Sequence, residues 1–427
     1  MAYLSLALEG WKIALENHKT QYKICKEKYD AIKAKGLKLD MSRGKPGADQ
    51  LDLSNDLINV LSSNDYIAED GTDCRNYGGV DGIPEMKRLF AELMDVNPEE
   101  VLVGGNASLT LMYESLQAFL PSLPGLPNNN KTGKRKFLCP SPGYDRHFTI
   151  SDYLGFEMIY IPMTAEGPDM TEVNKHISDP AVAGIWCVPV YSNPQGIVYS
   201  DKTVRELAAL KPAAADFRIL WDNAYMVHPF VGDAPKIPNL LRECEKNNNY
   251  DMALMFTSFS KITFSGAGVC AMAASPANLK RMREHLIVQS IGPDKLNQLR
   301  HVRYFKDADS VRQHMKKHAA LLRPKFETVL KALTENLEGK DMGSWLKPEG
   351  GYFVSFDTVP GCAKRTVKLC AEAGLVMTDA GAAFPYGNDP NDSNIRIAPT
   401  FPNLDQLGQA MELFCIAVEL AYLEKQI

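Results

Sequence analysis

From about residue 98 to 275, short apolar runs alternate with longer stretches whose apolar positions recur at helical spacing. "EEVLVGG" precedes "SLTLMYESLQAFL", "KFLCPSP" precedes "YDRHFTISDYLG", and "FEMIYIPM" follows. Then come "VAGIWCVPV", the helix-like "DKTVRELAAL", "FRILWDNAY", "MALMFTSFS" and "GVCAMAAS". Strands apolar on both faces and separated by helices predict βαβ units and an α/β fold, with a mainly parallel, doubly wound sheet covered on both sides. In such a sheet ligands bind at loops leaving the carboxyl ends of strands. The residues that follow each apolar run are therefore the place to look for chemistry.

The pattern changes near residue 309. "DSVRQHMKKHAALLRPKFETVLKALTENL" predicts a long helix, "GGYFVSFDTV" a strand, "RTVKLCAEAG" a helix and "NIRIAPTF" another strand. The amino-terminal stretch interrupts its apolar positions with Glu9, Lys12 and Glu16 and predicts an amphipathic helix, not a secretion signal. The expected organisation is a large domain over 51–308 and a smaller α+β domain over 309–427, joined by an amino-terminal segment, 1–50. "LPGLPNNNKTGKRK" at 123 to 136 predicts a surface loop, and no internal repeat is present.

Composition narrows the partners. The chain has 427 residues, 45% hydrophobic and 23% charged, with a formal net charge of -5, so there is no basic surplus to attract nucleic acid. Nine scattered cysteines, an odd number without a CxxC pair, suggest neither a disulfide framework nor a zinc site. They are expected to be buried apolar residues in a reducing, cytoplasmic setting. No run of about 18 apolar residues is present to span a membrane.

Five strand-end clusters carry candidate chemistry. "GGNAS" at 104 to 108 opens a helix, whose backbone N–H groups would suit a phosphate, although glycine before a helix also makes an ordinary turn. "SPGYDRHF" offers Tyr144 and Arg146 together, or core packing beside a solvated arginine. In "YSNPQG", Asn193 precedes a proline and is restricted to extended backbone, in a stretch that also suits a plain turn. "ILWDNAY" ends an apolar strand in Asp222, which needs a cation, good hydrogen bonds or a helix N-cap role there, with Tyr225 three residues on. "MFTSFSKITFSGAG" sets Lys261 after a buried strand, where desolvation lowers an amine's pKa and favours imine formation, whereas a solvated lysine would do neither.

Together, in this order, the clusters supply what pyridoxal phosphate needs: an imine-forming lysine, a carboxylate for the pyridine nitrogen, donors to the phenolic oxygen, a stacking ring and a phosphate cradle. The set Tyr77 in "NYGGVDG", "GGNAS", "SPGY", "SNPQG", "DNAY" and "SFSK", with "NIRIAPTFP" near the end, resembles fold type I class I aminotransferases. The wording "SFSKITFSGAGV", "GYDRHF" and "IGPDKLNQLRHVRYF" is most similar to a divergent branch of aspartate aminotransferases.

The resemblance implies that Lys261 holds pyridoxal 5'-phosphate covalently and moves the substrate proton. Asp222 would pair with the pyridinium, Asn193 and Tyr225 would donate to the phenolic oxygen, and Tyr144 would lie over the ring. Asn106, Ala107, Ser108 and Ser258 would hold the phosphate. Tyr77 would reach it from the other subunit, which implies a homodimer with composite sites. Arg396, helped by backbone at Gly44, would bind the substrate α-carboxylate.

One departure is Val269, where many relatives carry a phosphate-binding arginine; Ser260, Thr263 and Ser265 are candidate substitutes. For a side-chain carboxylate Arg146 is the first candidate cation, with Lys295 and Arg300, from this subunit or the other, as alternatives. The implied reaction is ping-pong transfer of an amino group from aspartate or glutamate to a 2-oxo acid such as 2-oxoglutarate. An aromatic or kynurenine-type aminotransferase, or a C–S β-lyase, would use the same fold. A non-enzymatic cofactor-binding regulator is the remaining class, but the residues before "MSRGKP" are too few for a DNA-binding module.

Overall fold

The structure, a computed structural model, describes residues 2–120 and 134–427, with side chains from residue 15 onward. The loop expected at 123 to 136 lies outside the described residues as far as 133.

Thirteen strands are described: β1 Leu39–Met41, β2 Val101–Val103, β3 Lys136–Ser141, β4 Glu157–Thr164, β5 Gly167–Pro168, β6 Val182–Cys187 and β7 Arg218–Asp222. β8 Ala253–Ser258, β9 Cys270–Ala274, β10 Gly343–Trp345, β11 Val354–Thr358, β12 Leu375–Met377 and β13 Asn394–Ile397 complete them. Eight build the central sheet in the order β2-β9-β8-β7-β6-β3-β4-β5. The run from β8 through β4 is parallel, while β9 is antiparallel to both of its neighbours. The α/β expectation with a mainly parallel sheet holds.

The continuous apolar runs follow from burial of both faces. Along β7, Ile219 and Trp221 enter one core while Leu220 enters the core on the opposite face. Successive side chains of a strand point to opposite sides, so neither position tolerates a polar residue until the strand ends. Because β9 reverses direction twice over, β2 runs parallel to β8. The carboxyl ends of β2, β3, β6, β7 and β8 therefore share one edge. "GGNAS", "SPGY", "SNPQG", "DNAY" and "SFSK" all emerge there.

A third core joins the chain's two ends. Cys25, Tyr29 and Ile32 of the helix Ala2–Lys33 pack with Leu322 and Phe326 of the helix Ala308–Leu337 and with Phe414 of the helix Leu404–Gln426. Asp307 caps the Ala308–Leu337 helix by accepting from Ser310 N at 2.7 Å, and Pro324 lies inside the helix without ending it. β11 pairs antiparallel with β13, which sets Arg396 opposite Ser355. All nine cysteines are free and buried. Among the described residues no helix is long and apolar enough to cross a membrane.

Candidate active site

Lys261 follows β8 and sits in a cleft at the shared strand edge. Its Nζ lies 5.0 Å from the ring centroid of Tyr225 and 5.9 Å from that of Tyr352, and these two rings stack on each other. Burial lowers its pKa below the ordinary lysine value, and the Asp222 carboxylate opposes that shift. Its carbonyl is held from behind by His228 Nε2 at 3.3 Å. An amine so placed loses its proton more readily than a surface lysine.

Asp222 closes β7 and is 4% exposed. Its Oδ2 lies 3.1 Å from His147 Nε2, whereas Oδ1 is buried with no hydrogen-bond partner. A buried carboxylate oxygen without a donor is unfavourable. The ring N–H of a protonated pyridine is the kind of donor that would satisfy it. His147 is held flat on Trp186, with centroids 4.2 Å apart, and meets the edge of Tyr144 at 4.9 Å.

The next wall is built around Arg396. Its Nη1 donates to Asp145 Oδ1 at 2.7 Å and to Asn193 Oδ1 at 3.3 Å, and Nη2 donates to Thr378 Oγ1 at 3.2 Å. Arginine has no acceptor, so Asn193 must turn its oxygen toward Arg396, which leaves its Nδ2 as a donor for the cleft. Arg396 Nε has no partner. Gly44 passes so close to Phe353 that an added Cβ would lie 2.3 Å from the ring's Cζ. Burial pushes the Tyr225 phenol well above its ordinary pKa and that of Tyr144 up to about 12, so both stay protonated donors.

Ala107, Ser108 and Ser258 line the cleft on the side away from Arg396, and Ser260 lines both that side and the outer part that holds Arg396. Ser108 begins the helix Ser108–Phe119, and Ser258 Oγ donates to Ser260 Oγ at 3.1 Å. Asn106 is exposed and does not line the cleft; its carbonyl accepts from Ser260 Oγ at 3.1 Å. Val269 is fully inside the sheet core. Of its candidate substitutes, Thr263 is ruled out: it is buried, with its hydroxyl 3.0 Å from His301 Nε2. Ser260 reaches the cleft, and Ser265 lines its outer part.

Arg146 lines the outer cleft with Arg396. Lys295 and Arg300 do not line it within this chain, and Lys295 is bound to backbone carbonyls elsewhere. Tyr77 is 83% exposed, away from this chain's own cleft. Sequence reasoning missed Asp145, His147, Thr378, Phe353 and Tyr352 as neighbours of the site. His147 had a signal, three residues after Tyr144 at the start of a helix, but Tyr352 and Thr378 arrive from distant segments with no motif to mark them.

These residues fit pyridoxal 5'-phosphate: a depressed lysine, an unpartnered carboxylate oxygen, two fixed donors and a helix start lined with hydroxyls surround one cleft. A family model described as aspartate amino-transferase matches residues 15–427. The chain belongs to this aspartate aminotransferase family. It is 43% identical over 401 residues to an aspartate aminotransferase of Corynebacterium glutamicum, covering 93% of each chain. The crystal structure of an aspartate transaminase from that organism superposes with a TM-score of 0.93 at 42% identity, covering 96% of this chain and 98% of the other. At the level of fold alone, Thermus thermophilus α-aminoadipate aminotransferase, solved with N-(5'-phosphopyridoxyl)-L-leucine, superposes with a TM-score of 0.73 at 18% identity, covering 91% and 93%.

Proposed function

We propose that this family member is a pyridoxal 5'-phosphate-dependent aminotransferase that passes the amino group of L-aspartate or L-glutamate to a 2-oxo acid such as 2-oxoglutarate. The observation that carries the substrate class is charge. Arg43, Lys45, Arg146 and Arg396 line the outer part of the cleft with Lys261, where Asp145 is the one carboxylate; Asp222 lies deeper, on the cofactor side. Lys45 also pairs with Asp40 at 3.5 Å, but Arg43 and Arg146 have no ion pair among the described residues. A substrate with two carboxylates matches that surplus: Arg396 takes the one next to the amino group, and Arg146 takes the other.

When bound, the cofactor supplies an electron sink for the carbon that loses its proton. Asp222 Oδ1 would hold the ring-nitrogen proton, with His147 fixing Oδ2. Asn193 Nδ2 and the Tyr225 hydroxyl would donate to the phenolic oxygen, and Tyr144 would cover the ring. Ala107, Ser108 and Ser258 would receive the phosphate, joined by Ser260. Lys261 Nζ, whose pKa burial lowers, would take the substrate's α proton and hold it for return. Both half-reactions use the same residues, hence the ping-pong order.

The working form is a homodimer with sites at the subunit interface. Tyr77, Ile287, Val288 and Ile291 are large residues at least 59% exposed. Such a concentration of exposed apolar side chains supports a second copy covering them. Tyr77 then serves the partner subunit's phosphate.

The test is a visible spectrum of the loaded protein, followed through stepwise addition of L-aspartate and then 2-oxoglutarate, with L-kynurenine and L-cysteine in parallel. Loss of the cofactor's original band with aspartate and its return with 2-oxoglutarate is expected. A response to kynurenine alone, or pyruvate release from cysteine, would overturn the dicarboxylate assignment.

A further inference from the structure

The helix Lys295–Tyr304 carries a buried cation that the site above does not use. Lys295 is 3% exposed, and among the described residues it pairs with no carboxylate. Its Nζ donates instead to Asn76 O at 2.8 Å and Gly78 O at 2.6 Å. Those carbonyls flank Tyr77. A buried ammonium held only by two backbone oxygens is an unfavourable arrangement for stability alone, yet it grips the loop on both sides of the most exposed tyrosine among the described residues.

The rest of the loop needs such a grip. Gly78 and Gly79 both adopt positive φ, +98° and +71°, so this backbone has wide conformational freedom unless it is tied down. Gly292 closes the far side, where a Cβ would fall 2.5 Å from Gly78 O. The same helix is anchored to the segment after Lys261 through Asn297 Nδ2, which donates to Ala267 O and Gly268 O at 3.0 Å each. The clamp is thus mounted on a fixed support.

We propose that Lys295 is the positioning residue for Tyr77: it fixes the 76–78 turn so that the tyrosine hydroxyl is presented, already ordered, to the cofactor phosphate of the partner subunit. This rests on the composite-site reading of Tyr77 above. An ammonium suits the task because its three donors radiate from one atom and meet two carbonyls that diverge. Ordering the donor before it binds removes an entropic penalty from cofactor binding.

The experiment titrates apo-dimer with pyridoxal 5'-phosphate and reads the dissociation constant by fluorescence quenching, with dimer mass checked by light scattering. It compares wild type, Tyr77→Phe, Lys295→Met and the double variant. Each single change is expected to weaken binding about tenfold, the loss of one ordinary hydrogen bond, and the double variant is expected to bind no worse than either. Unchanged binding by Lys295→Met beside weakened Tyr77→Phe overturns the clamp alone, as does a double variant weakened about a hundredfold, the sum of independent effects. Unchanged binding by Tyr77→Phe overturns the composite-site reading and the proposal with it. Should Lys295→Met not fold, Gly78→Ala strains the turn in open space while keeping the charge. It should weaken binding without adding to Tyr77→Phe, and normal binding there also overturns the clamp.

Discussion

His147 Nε2 stands 3.1 Å from Asp222 Oδ2 while its ring lies flat on Trp186, so the one partner of the buried carboxylate among the described residues is itself immobilised. With Oδ2 taken by His147, Oδ1 is the carboxylate oxygen left without a partner. His147→Leu should leave a buried acceptor unsatisfied, which costs about 1–3 kcal/mol. We expect kcat to fall roughly tenfold or more with the mass in solution unchanged. Asp222→Asn, which removes the charge as well, should lower kcat by at least about a hundredfold, in the range of lost acid–base function. Single-turnover kinetics of the two variants would check the order; a His147→Leu enzyme with wild-type kcat would mean the imidazole only fills space.

Asp222 also raises the Lys261 pKa against the dominant effect of burial. Neutralising it in Asp222→Asn should let the amine deprotonate at lower pH. The pH profile of covalent labelling of Lys261 in the apo-protein, read by peptide mass spectrometry, should shift to the acid side. An alkaline shift would contradict the charge coupling between them.

Arg396 presents two donors to polar neighbours through Nη1 and keeps Nε without a partner. Lysine cannot reproduce this fork. Arg396→Lys should raise KM for the amino acid by roughly 10- to 100-fold, as expected when charged hydrogen bonds of about 1.5–3 kcal/mol are lost. Asp145→Asn should keep the contact but not the counter-charge, with a smaller change. Steady-state kinetics with aspartate separates the two.

Arg146 and Arg43 are the cations free to meet a side-chain carboxylate. Arg146→Ala should reduce the kcat/KM ratio of aspartate over alanine by about 10- to 100-fold, the same charged-contact range, while alanine turnover changes little. If Arg43→Ala produces that loss and Arg146→Ala does not, the second carboxylate lies nearer the 43–46 turn. If neither variant changes the ratio, the dicarboxylate assignment fails.

Much of this arrangement was legible in the sequence because the physics behind it is local. β7 and β8 are buried on both faces, so "ILW" and "MALMF" are continuously apolar and the first polar residues after them mark the functional edge. Tyr144, Asn193, Asp222, Tyr225 and Lys261 all meet in the cleft from such positions. What the sequence hid are contacts between distant segments. Nothing in "GGYFV" announces that Tyr352 comes to lie beside Lys261, because that depends on how β11 packs over the sheet edge. Lys295 was hidden for a related reason: its charge suggested a substrate contact, and within the chain its partners are carbonyls more than two hundred residues away in sequence.

Four buried histidines that do not line the cofactor cleft set the acid limit of stability. Burial pushes His228 and His318 down to about 3, and His301 and His314 to about 4. In the unfolded chain each takes up a proton near the ordinary value of about 6.5. Between those limits the unfolded state binds more protons, so stability present above about pH 6.5 is lost as pH falls toward 4. The slope is about 1.4 kcal/mol per pH unit for each histidine within its window. His314 and His318 face each other, Nε2 to Nε2 at 3.2 Å, and His318 Nδ1 meets Gln50 Nε2 at 3.1 Å, so a near-isosteric His318→Gln keeps a polar partner there. Denaturant unfolding of the apo-protein between pH 7 and 4.5 should show a steep loss in wild type and a shallower one in His318→Gln. Identical slopes would mean that His318 already carries its proton in the folded chain.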